Sequence, residues 1–239
     1  MLRACALKFL CAAIPPLAFA GCSDDPVPFQ VAVEWATVPT PTQGNLNVAF
    51  VRPGNEGAGP HPVIFALPWG AGNEDLTEGF VLTYWATEPQ ARGYYVVAPA
   101  VLGSSLATTA DEIIPAVFEW MASEFDFDPD QVAIVGASNG GRGMFFAALS
   151  QPDRFQALVG LPGQFSGPAS DLSALAGKPV WLMVGEEDTS WIELSEVTVA
   201  KLDSVGIAAE LDTIIGQGHV LTGLPLIPLL DGIDAALGR

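Results

Sequence analysis

Ser138 stands in Gly136-Ala-Ser-Asn-Gly140, directly after the apolar run 132–135 and directly before a segment of helical length. A G-x-S-x-G serine between a strand and a helix occupies a tight turn. Its flanking glycines let backbones pass closely, and its hydroxyl projects from the sheet. The following helix directs its N-terminal N–H groups and positive dipole end toward charge that develops beside that hydroxyl. A serine hydroxyl is a poor nucleophile at its free pKa, so it needs a base.

The chain has 2 histidines, His61 and His219. His61 lies between Pro60 and Pro62, just before the apolar run 63–67, which places it at the amino end of a strand, opposite Ser138, as a surface loop residue. His219, in Gly216-Gln-Gly-His-Val220, follows the strand-like stretch 208–213 and comes at a carboxyl end, on the side of Ser138. It is the expected general base. A catalytic imidazole requires an anion to fix its tautomer. Gly185-Glu-Glu-Asp188 follows the run 180–184, again at a carboxyl end. Asp188 is the first choice there, beside Glu186 and Glu187 as solvated loop charges.

A tetrahedral intermediate also needs two donors aimed at its oxyanion. One is expected to be the N–H of Asn139. The second should come from the loop Pro68-Trp-Gly-Ala-Gly72, where Pro68 has no N–H and Trp69, Gly70 and Ala71 are the candidates, Gly70 first. Trp69, Trp191 and Phe165 are candidates to line a substrate pocket, each of them equally able to pack under a loop.

The elements that must hold these residues follow from the hydrophobic pattern. The stretches 29–35 and 46–52 alternate apolar with polar residues, as in an antiparallel pair at a sheet edge. The runs 63–67, 95–98, 132–135, 157–161 and 180–184 are continuously apolar, as in parallel strands covered on both faces. Helix-length segments lie between them, at about 76–92, 111–123, 138–151 and 191–204. Alternating strands and helices imply an α/β fold, a mostly parallel doubly wound sheet with an antiparallel N-terminal edge. Ligand chemistry in such a sheet belongs at the carboxyl ends of the strands.

The stretch Asp128-Pro-Asp-Gln-Val-Ala-Ile-Val-Gly-Ala-Ser-Asn-Gly-Gly141, followed by Gln151-Pro-Asp-Arg-Phe155, is similar to the nucleophile region of small bacterial esterases of the α/β-hydrolase superfamily. These include the phospholipase/carboxylesterase, esterase D and polyhydroxybutyrate depolymerase-like groups, and the intervals of 50 residues from Ser138 to Asp188 and 31 from there to His219 also fit dienelactone hydrolases, which usually carry cysteine in place of Ser138. The chain order Ser138, Asp188, His219 is also that of the α/β-hydrolases. The resemblance covers nearly all of residues 29–239. It implies hydrolysis of carboxylic esters through an acyl-enzyme intermediate, without a cofactor. Many of these relatives carry His-Gly in the oxyanion loop, where this chain has Pro68-Trp69-Gly70. The short interval between Leu161 and Val180, where most caps of this fold are inserted, implies little or no lid and an open site for small esters or polymer ends. A non-catalytic binding protein on the same fold and a serine peptidase of the same fold are the competing expectations.

Composition narrows the partners. With 27 acidic and 9 basic side chains the formal charge is -18, and the clustered cations that hold a phosphate backbone are missing, so nucleic acid is excluded. Apolar residues at 50% against 15% charged can build a large core. Two distant histidines without a ligand cluster predict no metal site. At the N-terminus, Arg3 and Lys8 precede a short apolar stretch ending in Ala20-Gly21-Cys22, the layout of a secretory signal at 1–21. Leu17-Ala-Phe-Ala-Gly-Cys22 resembles the lipobox of bacterial lipoproteins, which implies a lipid anchor on Cys22 in the outer membrane or cell envelope, with a periplasmic or secreted protein as the alternative. Cys5 and Cys11 fall inside the removed segment, so no disulfide can form in the exported chain. Residues 22–28, with Pro26 and Pro28, read as a tether before a single domain at 29–239.

Overall fold

The computed structural model describes residues 31–239. The signal, Cys22 and the tether lie outside the described residues. Eight strands form one sheet in the order β1-β2-β4-β3-β5-β6-β7-β8. In chain order they are β1 (Glu34–Thr40), β2 (Gly44–Val51), β3 (His61–Leu67), β4 (Tyr95–Pro99), β5 (Phe127–Gly136), β6 (Ala157–Gly160), β7 (Val180–Gly185) and β8 (Ala209–Ile214). β2 pairs antiparallel with both β1 and β4, and every other neighbouring pair is parallel, so β2 alone runs against the rest.

The helices are α1 (Glu74–Phe80), α2 (Thr87–Ala91), α3 (Leu106–Glu124), α4 (Asn139–Ser150), α5 (Thr189–Ser204) and α6 (Leu226–Ala236). They cover both faces of the sheet. Successive strand side chains alternate between the two faces. Val63, Phe65 and Leu67 therefore join the core under α3 and α4, while Ile64 and Ala66 join the core under α6 and the segment 80–86. This double burial explains why the central strands are apolar at every position rather than at alternate ones. Helix α3 shows its origin in spacing: Ala110, Ile113, Ile114, Val117, Phe118 and Met121 form one buried stripe.

Several boundaries depart from the sequence pattern. The first strand begins at Glu34 rather than 29 and continues through Pro39, because an edge strand tolerates a missing N–H. Its pairing runs Glu34↔Phe50 to Thr40↔Gly44. The expected helix 76–92 is three pieces: α1, a π-helical stretch Val81–Trp85, and α2, and that middle stretch turns Val81, Tyr84 and Trp85 into the core. Helix α6 had no counterpart among the expected helices; Pro228 and Gly232 interrupt its sequence, yet Leu229, Leu230 and Ile233 are buried along it. The polar stretch Asp128-Pro-Asp130 belongs to β5, which starts at Phe127.

Candidate active site

The carboxyl ends of β5, β7 and β8 bring Ser138, Asp188 and His219 together. Ser138 has φ 56° and ψ -113°, and among the described residues no other non-glycine residue has a positive φ. Holding a side-chain-bearing residue there costs about 1–3 kcal/mol, which the surrounding packing must over-determine. The packing is backbone on backbone. A Cβ at Gly136 would overlap the carbonyl of Gly140, and a Cβ at Gly140 would overlap those of Leu67 and Pro68. The two glycines of the motif are therefore what allow the turn to seat against β3. Ser138 donates its backbone N–H to Pro162 O at 3.0 Å, which ties the turn to the loop after β6.

His219 Nε2 lies 2.9 Å from Ser138 Oγ, and Nδ1 lies 2.5 Å from Asp188 Oδ2. A carboxylate only accepts, so Nδ1 carries the proton and Nε2 presents a lone pair to the serine hydroxyl. The imidazole remains 43% exposed while the Asp188 side chain is 11% exposed. The imidazole is thus open to solvent, and the carboxylate is largely shielded from it. The loops carrying them are joined directly: Glu187 N donates to Gln217 O at 2.9 Å, and Gly216 N donates to Glu186 Oε2 at 3.0 Å. Glu186 is accordingly part of the frame rather than a purely solvated charge. Gln217 Oε1 accepts from Thr222 Oγ1 at 2.8 Å and Gly223 N at 3.0 Å, closing the loop around His219. The sequence reading did not single out Gln217, and only its place between two glycines hinted at a constrained loop.

The expected oxyanion residues sit at the same rim. Asn139 opens α4, and its side-chain Nδ2 donates to Gly70 O at 2.8 Å, linking the turn to the loop after β3. Gly70 has φ +62°. The N–H groups of Asn139 and of all three loop candidates, Trp69, Gly70 and Ala71, donate to no partner among the described residues. The Trp69 ring packs edge-on against Phe80 and Tyr84, at centroid distances of 5.2 and 5.9 Å. Trp191 is 9% exposed, with its ring centroid 5.5 Å from that of His219.

Two placements correct the sequence reading. Phe165, expected at a pocket wall, is 2% exposed and packs under α4 against Phe145 and Phe146. Its loop is drawn inward by α5: Thr198 Oγ1 accepts from Phe165 N at 3.0 Å, Ser195 Oγ donates to Gly163 O at 3.1 Å, and Lys201 Nζ donates to Phe165 O at 3.1 Å. His61 is at the amino end of β3 as expected, but it is a strand residue and 4% exposed, not a surface loop residue. Its Nδ1–H donates to Gly93 O at 2.9 Å, and its ring meets Tyr95 edge-on at 5.7 Å.

Sheet order, the left-handed serine at the end of β5 and the acid and histidine after β7 and β8 decide the architecture. The chain has the α/β-hydrolase fold. Comparison with solved structures agrees. A thermostable esterase superposes with a TM-score of 0.68 at 20% identity, over 86% of this chain and 62% of that one. A CE1 ferulic acid esterase from the anaerobic fungus Anaeromyces mucronatus gives a TM-score of 0.68 at 13% identity, over 87% and 91%. In sequence, a profile of the prolyl oligopeptidase family matches residues 83–166 of this chain. The MPT51/MPB51 antigen of Mycobacterium bovis is 30% identical over 146 residues, which are 54% of this chain and 44% of the antigen. The chain therefore spans less than half the length of the curated relatives it matches. Among the described residues, no group of three or more His, Cys, Asp or Glu is arranged to hold a metal ion.

Proposed function

We propose that this α/β-hydrolase is a serine esterase that cleaves carboxylic esters through an acyl-enzyme. The observation that carries the proposal is the relay from Ser138 Oγ through His219 to Asp188, at 2.9 and 2.5 Å. In this reading His219 Nε2 takes the serine proton as Oγ attacks the ester carbonyl, and Asp188 stabilises the imidazolium that forms. The oxyanion is held by the N–H of Asn139 and a second N–H from the loop after β3, that of Gly70 or Trp69. Collapse expels the alcohol, which takes the proton from His219. A water activated by the same imidazole then releases the acid and restores Ser138.

A second reading, a serine peptidase, is favoured by the prolyl oligopeptidase profile match and by fold similarity to acylaminoacyl peptidases. A fluorophosphonate probe tests the shared nucleophile: labelling at Ser138 should vanish in Ser138→Ala and His219→Gln and persist in His61→Gln. Equal labelling in all of them would reject the assignment, and inertness of the folded protein toward the probe and a broad ester panel would favour a binding protein. Turnover of peptide anilides without esters would favour the peptidase. Export with a lipid on Cys22 is proposed from the N-terminal sequence, and a mature N-terminus without lipid, by mass spectrometry, would make the protein soluble and secreted instead.

A further inference from the structure

Arg142 lies one helical turn beyond the nucleophile, in the first half of α4. Its Nε donates to Gln164 Oε1 at 2.7 Å and its Nη1 to Asn139 Oδ1 at 3.1 Å. Its guanidinium carbon lies 4.7 Å from the centroid of the Trp191 ring, the same ring that flanks His219. Every one of these partners is neutral. Arg52, Arg92 and Arg239 pair with carboxylates, whereas no carboxylate among the described residues lies within ion-pair distance of Arg142. In a chain with 27 acidic side chains, the cation beside the candidate triad, like Arg154 elsewhere, thus has no ion-pair partner among the described residues.

The two amide oxygens and the indole face fix the guanidinium plane while using two of its five N–H groups. Arg142 is half-buried, and its remaining N–H groups are a preformed donor fork for a planar anion, which a carboxylate matches in geometry and charge. We propose that Arg142 forms an anion subsite beside Ser138, so that the preferred esters carry a carboxylate on the acyl or the alcohol side of the scissile bond. This rests on the ester-hydrolase reading and names its substrate class. A purely structural Arg142, holding Asn139 and Gln164 in place, would affect charged and neutral substrates alike.

The test uses the full chain and matched pairs. On the acyl side, the 4-nitrophenyl hemiester of adipate is compared with 4-nitrophenyl hexanoate. On the alcohol side, the pentanoyl ester of 4-hydroxybenzoate is compared with that of 4-hydroxybenzamide. For at least one pair the charged-to-neutral ratio of kcat/KM should fall about tenfold or more from the wild type to Arg142→Gln, mainly through KM, with Arg142→Lys between them. Ratios unchanged within about twofold for both pairs would overturn the proposal. A binding arm needs no turnover: in Ser138→Ala, saturation-transfer NMR should detect monomethyl adipate more strongly than dimethyl adipate, and adding Arg142→Gln should erase the difference. Absence of a charge-dependent difference in Ser138→Ala overturns the subsite even if no ester is hydrolysed, while a clear difference without turnover retains the subsite and rejects the esterase reading.

Discussion

The two histidines of this chain occupy opposite ends of one mostly parallel sheet and have opposite fates. His61, at the amino end of β3, is buried, gives one ring nitrogen to a backbone carbonyl and leaves Nε2 without a partner. His219, beyond the carboxyl end of β8, keeps one side in solvent and spans a hydroxyl and a carboxylate with its two nitrogens. The residue type is the same, and strand direction separates the roles. In a parallel sheet the loops at the carboxyl edge are the ones that converge, so a hydroxyl, an acid and a base distant in sequence meet there. At the amino edge the same imidazole can only be packed.

The comparison is broken most directly at the carboxyl edge. In the esterase reading, His219→Gln should lower kcat on an activated ester by about 10⁵-fold, measured after titrating folded protein, because the proposed base and its proton relay are lost together. Asp188→Asn should follow at about 10⁴-fold, since an amide at this position can favour the wrong imidazole tautomer. At the amino edge His61→Ala should cost stability rather than rate. A cavity forms beside Tyr95 and the Gly93 carbonyl loses its donor, for about 2–3 kcal/mol by denaturant unfolding, with fluorophosphonate labelling of the folded fraction retained. Loss of labelling there would erase the distinction between the two edges.

A smaller effect lies farther out, at the β1–β2 turn. Glu112 accepts from Thr42 N and Thr42 Oγ1, each at 2.5 Å, and from Gln43 N at 2.9 Å. These bonds, the Thr42 hydroxyl first, draw its carboxyl down from 4.5 to about 2. A depressed folded pKa contributes stability above the unfolded value that is lost as pH falls through the folded one. Glu112→Gln should therefore be slightly less stable than the wild type at pH 7. The gap should narrow below about pH 4.5 and close near pH 2, as read from urea midpoints across that range.

The central strands were legible because burial on both faces leaves a continuous apolar run, and the turn at Ser138 because two glycines and a serine between strand and helix leave few other geometries. The rim order of the three site residues followed from strand direction. What stayed hidden depends on contacts made across the fold. Pro60 and Pro62 masked a strand start, because proline beside a histidine suggests a loop until the pairing of His61 with Phe127 is in place. Phe165 resembled a pocket residue because it follows a strand end, and only Ser195, Thr198 and Lys201 along one side of α5 reveal that its loop is drawn inward. The neutral setting of Arg142 is likewise a product of three separate elements, α4, α5 and the loop after β6. No local pattern encodes it.

The openness of the histidine has a chemical corollary. With 43% of its side chain in contact with solvent, the imidazole stands, among the described residues, where bulk water reaches it. In the esterase reading, the water that must release a group carried on Ser138 therefore has a direct path to the nitrogen that would activate it.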